Sequence, residues 1–160
     1  MDLSVFITKP GMEKLQKRIQ HLMNDERPEV IKQIAIAREF GDLSENAEYK
    51  AGKERQRAID TEIDYLRRRS TQLKVIDTEN FPKDVLRFGS YCVADDITNG
   101  ERICYKVVGA EELNYTNEEN VMAVSVVSPI GKALLGKRVG EIAVVNAPMG
   151  ERNLKIIEIR

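Results

Sequence analysis

The sequence predicts an α+β fold. An N-terminal antiparallel α-helical coiled-coil hairpin covers residues 1–77, and a C-terminal antiparallel β-sheet domain with one short helix covers residues 78–160. Three observations carry this reading. Apolar residues recur at heptad-like spacing on both sides of one break, Gly41-Asp42-Leu43-Ser44. Turn chemistry is almost absent elsewhere before Asp77. After Asp77, short β-type segments alternate with Gly, Pro and Asn.

The first helix opens at Thr8, a cap residue followed by an early proline in Lys9-Pro10. Met12, Leu15, Ile19 and Leu22 then form a seam. Pro28 interrupts it, and Val30, Ile34 and Ala37 resume it one residue out of phase. A bend or phase slip is therefore expected near residues 25–29. Beyond the break the second pattern runs through Ala47, Ala51, Glu54 and Ala58, then Ile59, Ile63, Leu66 and Leu73. Two helices of about 30 residues joined by a short turn lie antiparallel, each about 45 Å long. That is longer than a compact domain of this size needs, and the seam near the turn holds alanines and charges rather than leucines. A narrow hairpin reaching into solvent or a partner fits this pattern. The other reading is half of a four-helix bundle completed by a second copy.

Asn80-Phe81-Pro82 reads as a linker. Strand-like segments follow at 91–94, 102–108, 121–127, 141–146 and 153–159. Asn99-Gly100 signals a hairpin between the first two, and Pro148-Met149-Gly150-Glu151 a turn between the last two. Between the third and fourth, Ser128 as N-cap, Pro129 at the first position and Gly136 as stop define a short helix.

Composition excludes several classes. The formal net charge of −1 over 160 residues gives no global attraction to nucleic acid, so any such contact needs a local basic cluster. No apolar run approaches the roughly 20 residues of a membrane span, and Met-Asp-Leu-Ser-Val-Phe lacks the features of a secretion signal. A cytoplasmic protein without membrane contact is expected. Cys92 and Cys104 are too few and too far apart for a zinc framework or a redox motif. With His21 the only histidine, a histidine-rich metal site is excluded.

The tip carries the clearest chemical signal. Asp42 and Glu45 are three residues apart at a turn, so both carboxylates can face one point and meet a cation. The same spacing is a capping box, with Asp42 as N-cap and Glu45 at N3, unless Ser44 caps instead and releases Asp42. Lys50, Lys53 and Arg57 share one helix face within about 20 Å of the tip and could hold a phosphate backbone. Alternatively they form a solvated face paired with Glu54 and Asp60. Arg67-Arg68-Arg69 points in several directions and makes no single face.

The stretch Arg38-Glu39-Phe40-Gly41-Asp42-Leu43-Ser44-Glu45-Asn46-Ala47-Glu48-Tyr49 closely resembles the tip signature of the bacterial GreA/GreB transcription elongation factors. Collinear matches run through both halves: Arg27-Pro28-Glu29, Val75-Ile76-Asp77, Val107-Val108-Gly109, Ser128-Pro129-Ile130 and Gly136-Lys137. Gly41-Asp42-Leu43 and Ala47-Glu48-Tyr49 look like GreA, whereas Glu26-Arg27-Pro28-Glu29-Val30, Ile59-Asp60 and Val144-Val145-Asn146 look like GreB.

The resemblance implies an FKBP-like C-terminal domain that docks on the rim of the RNA polymerase secondary channel through Ser128, Pro129, Ile130 and the short helix to Leu135. It implies a hairpin that enters the channel, with Asp42 and Glu45 helping to hold a catalytic Mg²⁺ shared with the polymerase. The polymerase would then hydrolyse the 3′ end of a backtracked RNA, with Lys50, Lys53 and Arg57 against the extruded segment. The chain would be a monomeric cofactor rather than an enzyme, holding no tight metal of its own. Three other readings compete. An inhibitory paralogue of the same family is opposed by the intact acid pair. A prolyl isomerase or chaperone, suggested only by the FKBP-like fold, is opposed by the scarcity of aromatics and the absence of Trp. A helical RNA-binding arm is opposed by the balanced charge of the hairpin.

Overall fold

The computed structural model describes residues 2–42 and 46–160. Contacts divide the chain differently from its sequence texture. One compact unit is Glu13–Gln72, and the other joins the residues up to Met12 with Leu73–Arg160. The beginning of the chain thus groups with the sheet domain rather than following the 77/78 boundary.

The first unit is helical. Helix α1 (Lys9–His21) continues through one π turn, Leu22–Glu26, into α2 (Arg27–Arg38), and α3 (Ala47–Gln72) returns antiparallel. The π turn is the expected phase slip. The Arg27 N–H donates to the Leu22 carbonyl five residues back, so the turn takes up one residue more than an α-helical turn. Val30, Ile34 and Ala37 thereby return to the side on which Leu15 and Leu22 are buried. They pack with Ile59, Ile63 and Leu66 of α3, each fully buried aliphatic side chain contributing about 1.5–3 kcal/mol. Toward the tip the seam departs from expectation. Ala51 and Ala58 are exposed, and Gly52 faces the other helix. A Cβ at Gly52 would lie 2.8 Å from Ile34 Cγ1, so the helices approach too closely there for a side chain.

Charged pairs set the stagger. Arg18 reaches Glu26 at 2.8 Å and Glu62 at 3.0 Å, and Arg27 reaches Asp60 at 2.8 Å. Asp60 therefore bonds across the hairpin rather than along its own helix. Half-exposed pairs of this kind contribute at most about 1 kcal/mol each.

The second unit holds two sheets. Strands β1 (Phe6–Thr8) and β2 (Lys74–Ile76) pair in parallel. Thr8 caps α1 as expected, its Oγ1 accepting from the Gly11 N–H at 3.1 Å. Its own N–H donates to buried Glu112 at 3.0 Å, and the Gly109 N–H donates to the same carboxylate at 2.8 Å. One acid thus satisfies two backbone donors from distant parts of the sequence.

The larger sheet comprises β3 (Tyr91–Asp96), β4 (Arg102–Val108), β5 (Val121–Ser125), β6 (Ile142–Ala147) and β7 (Gly150–Ile159), in the order β5-β4-β3-β7-β6. Here the structure corrects the purely antiparallel expectation. The β3–β4, β3–β7 and β6–β7 pairs are antiparallel, but β4 and β5 run parallel. The cause is the connection. Residues 109–120, including the 3-10 turn Glu111–Tyr115, form a crossover instead of a hairpin, and a parallel pair requires one. Both predicted tight turns are present: Gly100 has φ +78°, and Ala147 pairs with Gly150 around Pro148-Met149. One face of the sheet packs with helix α4 (Pro129–Leu134) around Tyr105, Val107, Val126, Leu134, Val145 and Ile156, all essentially buried. Among the described residues no helix is long and apolar enough to cross a membrane.

Candidate functional site

At the tip, α2 ends at Arg38, and the Glu39 and Phe40 N–H groups bond back to Ile36 and Ala37. Gly41 then adopts φ +107° with open space where a Cβ would stand, so glycine serves the backbone conformation and not the packing. Asp42 follows, exposed to solvent. Leu43, Ser44 and Glu45 lie outside the described residues, so Glu45 and the capping expectation for Ser44 are not placed. The cap of α3 is another residue. Asn46 Oδ1 accepts from the Tyr49 N–H at 3.1 Å, three residues on, as an N-cap does. Its Nδ2 donates to the Ala37 carbonyl at 2.7 Å, in the last turn of α2. One side-chain amide thus closes the end of one helix and the start of the next. Helix α3 thus begins at Ala47 with Asn46 as its cap.

Of the basic residues, Lys50 and Arg57 are exposed. The Lys53 ammonium sits 6.0 Å from the centre of the Tyr49 ring, and the Arg38 guanidinium 5.7 Å from the same ring. Arg38 is therefore a cation of the tip that spacing arguments missed. The Tyr49–Lys53 contact has a local i, i+4 signal, whereas the Arg38 contact depends on the register between the two helices.

In the sheet unit, Ser128 is the N-cap of α4. Its Oγ accepts from the Gly131 N–H at 3.1 Å and donates to the Ser125 carbonyl at 2.6 Å. Pro129 stands exposed at the first helical position, Ile130 and Leu135 are partly buried against the core, and Leu134 is fully buried. Gly131 admits no side chain, since a Cβ would lie 1.9 Å from the Ser125 carbonyl oxygen. Beside this loop is an apolar pocket of about 360 Å³, lined by Pro129 and Ile130 together with Leu113, Val145 and Arg152. The last three come from separate parts of the chain and carry no local signal of a shared site. No aromatic ring lines the pocket among the described residues.

Cys92 and Cys104 are thiols. Burial first, and Cys104 second, push Cys92 up to about 12, so it stays protonated and inert. Among the described residues no three His, Cys, Asp or Glu side chains converge as metal ligands.

Comparison with known proteins divides the chain near residue 78, as its sequence texture does. Residues 5–75 match the family model described as transcription elongation factor, N-terminal, and residues 81–160 match that of transcription elongation factor, GreA/GreB, C-term. The chain is 42% identical over 154 residues to the transcription elongation factor GreA of Syntrophobacter fumaroxidans, covering 96% of each chain. It is 39% identical over 160 residues to GreA of Pelobacter propionicus, covering 100% of this chain and 99% of that one. Among solved structures, GreA factor homolog 1 of Thermus thermophilus is 27% identical with a TM-score of 0.43, covering 98% of this chain and 99% of that one.

Proposed function

The chain belongs to the GreA/GreB family of transcription elongation factors, and from that premise we propose that it stimulates transcript cleavage by bacterial RNA polymerase. The observation that carries the proposal is the cap at Asn46. Asn46 holds the start of α3, and Asp42 stands exposed on the turn before it.

In this reading Asp42 and Glu45 are the residues that would hold Mg²⁺. That ion takes one or two protein carboxylates and keeps water and phosphate as its other ligands, so two acids suit a site completed by the polymerase. When bound, it supplies Lewis-acid and charge stabilisation for hydrolysis of a phosphodiester. Lys50, Lys53 and Arg57, joined by Arg38, lie against the phosphates of the extruded RNA 3′ segment. Ser128, Pro129, Ile130 and Leu135, with the adjoining pocket, form the docking surface for an apolar side chain on the rim of the secondary channel. The chain lends carboxylates to a reaction whose enzyme is the polymerase. It works as a monomer where the polymerase does, in the cytoplasm.

The test is RNA cleavage in an arrested elongation complex carrying end-labelled transcript. Release of 3′ fragments is expected to accelerate on addition of the protein. Asp42→Asn is expected to remove at least about tenfold of that acceleration while leaving thermal unfolding unchanged. A parent protein without effect on cleavage defeats the proposal, and full activity in Asp42→Asn defeats the metal role.

A further inference from the structure

One side of the hairpin has no part in that reading. A groove of about 430 Å³ lies between α2 and α3, lined by Gln33, Ile36, Glu48, Ala51, Gly52 and Arg55. Ile36, in the last turn of α2, is 47% exposed. Glu48 and Arg55 are both exposed. They stand about two turns apart on α3, on the same side and equidistant from Ala51 and Gly52. By the same periodicity Lys50, Lys53 and Arg57 lie on the opposite side of the helix.

A groove with small residues at its centre, an acid at one end and a base at the other is complementary to itself under a two-fold rotation. We propose that this face pairs with the same face of a second copy, α3 against α3 antiparallel, with Glu48 of each copy meeting Arg55 of the other. Ala51, a small exposed residue, lets the two α3 helices approach, and Ile36 of each copy is covered. The pair closes a four-helix arrangement from two hairpins. A foreign partner would need to present both charges at the same separation, whereas a second copy carries them already. A face lined by six residues is small beside the roughly 800 Å² per partner of a stable complex, so pairing is expected only at high protein concentration.

Sedimentation velocity of the full chain, over a series from about 10 μM to about 1 mM, reads the assembly directly. The weight-average mass is expected to climb toward that of a dimer. Glu48→Arg and Arg55→Glu are each expected to weaken pairing about tenfold, since like charges then face each other at both ends. The double variant Glu48→Arg/Arg55→Glu exchanges the two ends and is expected to restore pairing. A chain that stays monomeric throughout overturns the proposal, as does a dimer indifferent to the single reversals. So does a double variant with parental circular dichroism that fails to recover. Single reversals that instead weaken binding to polymerase, with the chain monomeric, also overturn it and give the groove to the polymerase wall.

Discussion

Asn46 and Ser128 perform the same local task, each accepting a hydrogen bond from the N–H three residues on and so starting a helix. What lies behind each cap differs. Behind Asn46, among the described residues, is the Ala37 carbonyl, and the neighbouring Phe40, Gly41 and Asp42 are exposed. Behind Ser128 are the Ser125 carbonyl, a glycine with no room for a methyl group, and fully buried Leu134. The tip can therefore change its chemistry at little cost to the fold. The loop before α4 cannot, because its exposed residues hang on a packed core.

The sharpest way to break this contrast is Gly131→Ala. The added methyl group collides with backbone rather than with a flexible side chain, so the stability loss is expected to reach about 3 kcal/mol in denaturant unfolding. Gly41→Ala meets no neighbour and pays only its positive φ, about 1 kcal/mol. Equal losses at the two glycines would erase the distinction drawn here.

A second comparison separates binding from folding. Changing Pro129 and Ile130 together to alanine should raise the amount of factor needed for half-maximal cleavage by one to two decades, about 1.5–3 kcal/mol of apolar contact. The maximal rate should hold. Unchanged potency in a folded variant would place docking elsewhere.

Asn46→Ala removes a cap and a tie between two helices, so a loss of about 1–2 kcal/mol is expected. Amide exchange should locate it in the first turn of α3. A loss spread through Ile59 and Ile63 would mean that the tip and the seam are one cooperative unit. The smallest effect belongs to the cations. Replacing Lys50, Lys53 and Arg57 by alanine should leave stability within about 0.5 kcal/mol and flatten the salt dependence of crosslinking to backtracked RNA.

How much of this was legible beforehand follows from what each signal encodes. Heptad spacing gave the helices, and the one-residue phase error at Val30 gave the irregular turn before Pro28. Spacing did not single out Asn46 as the cap of α3, because one of its two bonds goes to the Ala37 carbonyl of another helix. Ala51 was placed in the seam where Gly52 faces the other helix, for a related reason: closeness between helices favours glycine, and a hydrophobicity pattern does not register it. Alternation located β4 and β5 but carries no direction, so their parallel pairing was missed. Strands β1 and β2 have three residues each, too few for periodicity to show. The pocket beside Pro129 escaped entirely, since Leu113, Val145 and Arg152 meet there only through the topology of the sheet.

The wide turn at Leu22–Glu26 also sets a rule for changes in chain length. Deleting one residue within it would let α1 and α2 join as a regular α-helix with every backbone bond in standard register. The same deletion would turn Val30, Ile34 and Ala37 by about 100° about the helix axis, away from Ile59, Ile63 and Leu66. An insertion a few residues downstream would have a similar effect in the opposite sense. The segment therefore works as a phase adjuster, and its length is under tighter constraint than its side chains, of which only Leu22 is buried. Shortening it would yield a better helix and a worse hairpin.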